Sequence, residues 1–260
     1  MMQLTHVGGP TVLIELDGWR ILTDPTFDPP GRRYTFGWGT ASRKLTGPAL
    51  AAAETAPLDA ILLSHDHHAD NLDDAGRDLL PRATTVLTTR AGARRLHAGN
   101  VRGLAAGDTV TLDAPGRPSL IVTATPCRHG PRFSRPLAGA VVGFAIRRAG
   151  EDRCAVWMTG DTVYYPAVRN VARRLDVAVA LLHVGGVGFG LTGPVRYSMR
   201  GSDALRLLDD LQPRLVVPVH YEGWSHFREP AARLHEVLDN SDPRNRIRWL
   251  VPGHPAVLDG

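Results

Sequence analysis

Leu62-Leu63-Ser64-His65-Asp66-His67-His68-Ala69-Asp70-Asn71-Leu72-Asp73 is the stretch on which the reading of this chain turns. It continues a short, unbroken apolar run from Leu58 to Leu63, the pattern of a strand buried on both faces. Ligand-type side chains therefore arrive at the carboxyl end of a buried strand, where sites collect in α/β sheets. His65 and His67 are two apart, so in extended backbone both imidazoles point the same way and can grip one ion. Asp70 adds a hard oxygen ligand a few residues on. A solvated loop with Asp70 or Asn71 capping a helix would use some of the same residues. Yet His65, Asp66, His67, His68 and Asp70 crowd together after an apolar strand, which costs stability unless a cation offsets it. The metal reading is therefore preferred.

Working outward, Gln3 to Val7, Thr11 to Leu16 and Trp19 to Thr23 read as antiparallel strands, with Asp17-Gly18 as a tight hairpin between the last two. Asp28 to Pro48, rich in Gly, Pro, Arg and aromatics, reads as a long ordered loop bordering a site. After the quoted stretch come a helix from about Leu72 to Leu80, a strand from Thr84 to Leu87, a helix near Ala91 to Leu96, and strands at Thr109 to Leu112 and Leu120 to Thr125. The second half opens with Ala140 to Arg147 and Cys154 to Met158, then alternates helix (Pro166 to Leu175), strand (Val177 to Leu182), helix (Ser202 to Leu211) and strand (Leu215 to Val219). Strands first and alternation later, twice over, suit an α/β (α+β) fold of two sheets packed face to face with helices outside. The expectation is a single domain over 1–260.

The composition, 43% hydrophobic and 22% charged over 260 residues, supports a sizeable core. Net charge is +4, but the arginines are scattered singly or in pairs and Lys44 is the sole lysine, so no nucleic-acid tail is indicated. A small-molecule substrate, anionic included, is compatible with that charge. Cys127 and Cys154 lack paired spacing, no run is long enough to span a membrane, and no leader-like segment opens the chain. The expectation is a cytoplasmic protein.

Three further residues sit just past strand-like runs: His129, Asp161 in Thr159-Gly160-Asp161-Thr162, and His220. Each alone reads as a turn former or surface residue; the repeated placement is what a ligand set drawn from several loops requires. The order His-x-His…Asp…His…Asp…His resembles the metallo-β-lactamase superfamily over nearly the whole chain. Val12-Leu13-Ile14-Glu15, Leu22-Thr23-Asp24-Pro25, Thr159-Gly160-Asp161 and Pro218-Val219-His220-Tyr221-Glu222-Gly223-Trp224 further resemble the branch of ascorbate-6-phosphate lactonase and N-acyl phosphatidylethanolamine-hydrolysing phospholipase D. The resemblance implies a four-layer αββα sandwich and a hydrolase with two divalent metal ions, zinc first, with manganese or iron also accommodated by such ligands. It implies that His65, His67 and His129 hold one ion, that Asp70 and His220 hold the second, and that Asp161 bridges them. A hydroxide shared by the ions would attack an ester, lactone or phosphodiester.

The family run would put Asp at position 69 and His at position 70, where this chain has Ala69 and Asp70. One extra residue before Asp70 restores the acid and leaves Asn71, or His68, in the place of the missing histidine. Asp70 is also the candidate to accept a proton during catalysis, and His183, ending an apolar strand before Val184-Gly185-Gly186, is a candidate to touch substrate. The glycines there would let a substrate approach the backbone. Asp24 is a candidate to hold a ligand imidazole by its far nitrogen, and Tyr221, Trp224 and Trp38 are candidates to wall the pocket. The altered histidine run also admits a metal-binding or sensing protein that no longer turns over.

Overall fold

A computed structural model of the chain describes residues 1–242 and 244–258. The chain folds into two compact units: Met1–Leu104 with Gly223–Ser225 and residues 250–258, and Ala105–Glu222 with His226–Trp249.

In the first unit, β1 (Met2–Gly8), β2 (Thr11–Leu16) and β3 (Trp19–Thr23) form an antiparallel meander. Asp17 (φ 48°) and Gly18 (φ 87°) make the two-residue turn whose left-handed backbone matches the twist of the strands. The expected long ordered loop over 28–48 contains a two-stranded ribbon, β4 (Arg33–Gly37) and β5 (Thr40–Arg43). Only Tyr34 of β4 is buried, so the ribbon carries almost no apolar alternation, while its glycines and prolines dominate the local composition. Next come β6 (Leu58–Leu62), β7 (Ala83–Thr89) and β8 (Val101–Leu104), added in parallel to β3 in the order β1-β2-β3-β6-β7-β8. Because β3 and β6 run together, with Thr23 opposite Leu62, Asp24 and the histidine-rich loop leave the sheet at one edge.

The helix expected from Leu72 to Leu80 is four residues long, α1 (Asp74–Arg77), followed by a 3-10 turn at Leu80–Arg82. Pro81 cannot donate to a continuing helix. Gly76 lies so close to the strand-end loop that a Cβ would come 1.9 Å from the Pro25 carbonyl oxygen. α2 (Arg90–Leu96) is capped by the Thr89 side chain, which accepts from the Gly92 amide, and ends at His97 in the left-handed conformation. Leu13, Leu22, Ile61, Leu63, Leu72, Leu79 and Val86 pack into this unit's core.

The second unit is built on β9 (Thr109–Leu112), β10 (Leu120–Pro126), β11 (Val142–Arg148), β12 (Cys154–Met158), β13 (Val177–His183) and β14 (Leu215–Val219) in the order β14-β13-β12-β11-β10-β9. β9 to β12 are antiparallel and β12 to β14 parallel, so β10, β12, β13 and β14 all end at one edge. His129, Asp161, His183 and His220 follow or end those four strands. Helices α3 (Arg135–Ala138), α4 (Pro166–Ala172), α5 (Gly201–Leu211) and α6 (Ala231–Ser241) complete the unit. α5 buries Ala204, Leu207, Leu208 and Leu211, the three-to-four spacing of one helix face. With Leu234 and Leu238 of α6 they pack on Trp157, Ala180 and Leu182 in one core. All seven residues of β13 are buried, as its unbroken apolar run implied.

The last strand, β15 (Pro255–Leu258), returns to the first unit and pairs antiparallel with β1. It was not legible in the sequence, nor was β8: each is a short edge strand with a single buried side chain, and Gly103 within β8 and Pro255 at the start of β15 weaken the strand signal. Among the described residues, no helix is long and apolar enough to cross a membrane.

Candidate metal centre

In the first unit the chain does not stay extended after β6. A turn forms at once, with the Leu72 amide donating to the His68 carbonyl at 2.9 Å. His68 is thereby folded back onto His65, His65 Nε2 to His68 Nδ1 being 3.1 Å. One ring nitrogen from each of His65, His67 and His68 lies within 4.8 Å of the others. Their ring centroids are 4.3 to 5.0 Å apart, with His65 and His68 buried. The i,i+2 pair expected in extended backbone is thus a trio, brought together by the turn. Three convergent imidazole nitrogens are the donor set that zinc-like divalent cations take, so these residues fit a metal.

Asp24 and Asn71 hold the trio from behind. Asp24 Oδ1 accepts from the Ser64 amide at 2.6 Å, and Asp24 Oδ2 accepts from Asn71 Nδ2 at 3.2 Å. Ser64 Oγ in turn lies 2.9 Å from His65 Nδ1. Asp24 thus holds the main chain of Ser64, whose Oγ meets His65. The Asn71 amide oxygen is buried with no hydrogen-bond partner, a desolvated acceptor that favours a cation or donor beside it. Asp70 is buried in the same turn.

Several residues that sequence reasoning missed clamp this loop. Burial would raise the Asp66 carboxyl, but the His67 imidazole, its Nδ1 3.9 Å away, and the hydrogen-bonded Arg95 guanidinium hold it well below the usual carboxylate range. Arg77 donates to the Asp66 carbonyl at 3.1 Å. Asp73 caps α1 through the Gly76 amide, accepts from the Phe27 and Asp28 amides at 2.8 Å each, and pairs with Lys44 at 2.7 Å. The signals were there: Asp73 ends the informative stretch, and Lys44 is the only lysine.

The aromatic candidates divide. Phe36 of β4 lies 5.3 Å from His68 and 6.3 Å, edge-on, from Trp224, which is itself buried against Tyr34 at 5.1 Å. Trp38, at the ribbon tip, is 75% exposed. Tyr221 packs in the second unit's core, edge-on to Trp249 at 5.4 Å.

In the second unit, Asp161 stands between two histidines. Its Oδ1 is 3.3 Å from His220 Nδ1 and its Oδ2 4.0 Å from His129 Nδ1, with all three residues buried. His129 Nδ1 also lies 2.7 Å from the Tyr197 carbonyl, which fixes the proton on that nitrogen and leaves Nε2 as the lone-pair donor. The His183 ring is 5.5 Å from that of His220. His220 sits at φ 59°, a strained conformation for a non-glycine residue of the kind that gathers at functional sites. Gly185 is not open space for a substrate: a Cβ there would meet the His220 carbonyl at 2.6 Å and Tyr221 Cα at 2.8 Å. The glycine instead lets the His183 and His220 loops pack backbone to backbone.

The β-lactamase superfamily domain model matches residues 19–221. A UPF0173 metal-dependent hydrolase of Deinococcus radiodurans is 30% identical over 265 residues, covering 99% of this chain and all of its own. One from Caldivirga maquilingensis is 26% identical over 257 residues, covering 97% and 96%. The crystal structure of an isothiocyanate hydrolase from Delia radicum gut bacteria shares the fold with a TM-score of 0.82 at 20% identity, covering 99% of both chains. With its mixed α/β sheets and its histidine and aspartate clusters, the chain belongs to the β-lactamase superfamily, as a metal-dependent hydrolase of the metallo-β-lactamase fold.

Proposed function

We propose that the chain works as one domain over 1–260, its two ligand groups holding two divalent ions, zinc first and manganese or iron as alternatives. In this reading His65, His67 and His129 hold one ion, Asp70 and His220 the other, and Asp161 bridges them. Asn71 or His68 completes the second ion's set, in the place where the family has a histidine. The observation that carries the reading is the convergence of His65, His67 and His68 at the end of β6.

The chemistry supplied by bound divalent cations is a lowered pKa for water and an offset for negative charge developing on an attacked oxygen. In the same reading Asp70 would orient the attacking water and take its proton, and His183 would contact the substrate. Trp224, behind Phe36, and the exposed Trp38 supply apolar surface for the remainder of the substrate, with Tyr221 supporting His220 from the core side. The substrate is a small molecule with an ester, lactone or phosphodiester bond. The Cys127 and Cys154 thiols, not joined in a disulfide, suit a reducing cytoplasm.

Metal analysis of protein purified without added metal, followed by a panel of neutral and anionic esters, lactones and phosphodiesters, tests this. An isothiocyanate joins the panel because of the neighbour of like fold. About two ions per chain and cleavage that chelation abolishes are expected. Metal uptake with no cleavage would favour the sensing alternative, and no metal uptake would remove the reading.

A further inference from the structure

Three of the positive charges that are scattered in sequence come together in the second unit. Segment 196–200 runs beside Gly186–Gly188: the Gly186 amide donates to the Met199 carbonyl at 2.9 Å, the Val187 amide to Ser198 Oγ at 2.9 Å, and the Tyr197 amide to the Val187 carbonyl at 2.8 Å. The Gly188 amide donates to the His226 carbonyl, drawing in the segment that carries Arg228. Three arginine stems consequently converge on two glycines. A Cβ on Gly186 (φ 57°) would lie 3.0 Å from Arg200 Cγ and 3.8 Å from Arg196 Cδ. One on Gly188 would lie 2.9 Å from Arg196 Nη1 and 3.2 Å from Arg228 Cγ.

The hydrogen bonds made by these guanidinium groups go to main-chain carbonyls: Arg196 Nη1 to Gly193 and Val195, and Arg228 Nε to Gly188 at 2.9 Å. Arg196 Nε is buried without a partner. Among the described residues, none of the three pairs with a carboxylate. Of the nearby acids, Glu229 is turned to the amide of Gly201 at the start of α5, 2.7 Å away, and Asp203 accepts from the main-chain amide of Arg200 at 3.4 Å. Burial, together with the Arg200 and Arg228 charges, pulls the Arg196 guanidinium below its ordinary value. Like charges held together with one fork unsatisfied are costly without an anion, and arginine forks match the oxygens of phosphate.

The cluster is joined to the candidate centre inside the same unit. Tyr197, next to Arg196, gives its carbonyl to His129, and Gly185, next to Gly186, packs on the His220 carbonyl.

We infer that Arg196, Arg200 and Arg228 form an anion site that takes a phosphate group of the substrate, beside the bond to be cleaved. This rests on the hydrolase reading for its setting and goes beyond it in naming the recognised group. A phosphate dianion is preferred to a carboxylate because three uncompensated cations face it.

Inorganic phosphate binding to the protein as purified, measured by titration calorimetry with metal content and melting midpoint recorded alongside, tests the site without requiring turnover. Arg200→Gln and Arg228→Gln should each weaken phosphate by roughly tenfold, the loss of one charge-assisted hydrogen bond. Arg200→Lys and Arg228→Lys, keeping the charge but not the fork, should lose less. Arg206→Gln, on α5 outside the cluster, should bind as wild type, and acetate should bind more weakly than phosphate. Glycerol phosphate binding points to a soluble substrate and cosedimentation with phosphatidic acid vesicles to a lipid headgroup; either upholds the phosphate site. Unchanged phosphate affinity in folded, metal-loaded glutamine variants would overturn it, as would acetate binding equal to phosphate. Neither failure touches the hydrolase reading, which the chelation test decides.

Discussion

Lys44 Nζ lies 2.7 Å from Asp73 Oδ2, and both residues are buried. The pair fastens the β4–β5 ribbon to the turn that carries Asp70 and Asn71, while Asp73 also caps α1 and holds the Phe27 and Asp28 amides. Removing one partner of a buried pair leaves an uncompensated charge, so Lys44→Met should cost about 3–5 kcal/mol. Thermal denaturation checks this, with Arg233→Ala as control: its pair with Glu236 is exposed, and its loss should leave the midpoint in place. A Lys44→Met midpoint equal to wild type would show that the three amide donors alone sustain Asp73.

Acid should loosen the same region through Asp28. Burial alone would raise its carboxyl, but the Tyr34 hydroxyl, the Ala75 and Asp74 amides and the Lys44 charge hold it below the ordinary value. A depressed carboxylate contributes stability that is complete above its unfolded pKa of about 3.9 and is lost as pH falls through the folded value. Asp28→Asn should therefore flatten the stability curve below about pH 4. Denaturant midpoints at descending pH measure it, and parallel curves for the two proteins would contradict it.

Loss of His65 and His67 together should abolish metal uptake at the first ion's position and all hydrolysis. Asp161→Ala should cost more metal than either His129→Ala or His220→Ala, since it is proposed to serve both ions. Metal counting after gel filtration ranks the variants; an Asp161→Ala protein that retains full metal would remove the bridging role.

Stepwise chelation addresses the altered histidine run. With Asn71 or His68 in place of the usual histidine, the second ion should leave first. Asp70→Ala should hold one ion fewer than wild type, whereas unchanged stoichiometry would reduce Asp70 to a turn residue.

Gly185→Ala separates packing from chemistry. Its φ of 93° and the 2.6 Å approach to the His220 carbonyl leave no room for a methyl group. The variant should lose about 1–3 kcal/mol of stability and bind metal more weakly because His220 is displaced. Chemical denaturation and metal titration report the two effects, and wild-type values in both would show that the loops do not need this close contact.

Much of the fold was legible because it rests on local periodicity. β2, β3, β12 and β14 begin and end where mostly apolar runs and turn residues placed them, since most of their side chains are buried, and the edge strand β9 does so by its alternation of threonine with Val110 and Leu112. The ligand candidates were legible because each follows such a strand. What depended on distant neighbours was not. The β4–β5 ribbon, the brevity of α1 and the edge strands β8 and β15 are fixed by pairing and close packing, to which local composition is blind. The return of His68 onto His65 depends on a turn rather than on spacing. Lys44 and Asp73 are 29 residues apart, and Arg196, Arg200 and Arg228 read in sequence as isolated charges. The sequence by itself determined which residue types stand at the ends of buried strands. The tertiary structure alone decided which charges meet, because ion pairs and ligand sets depend on distance in space and the chain closes those distances only when its sheets assemble.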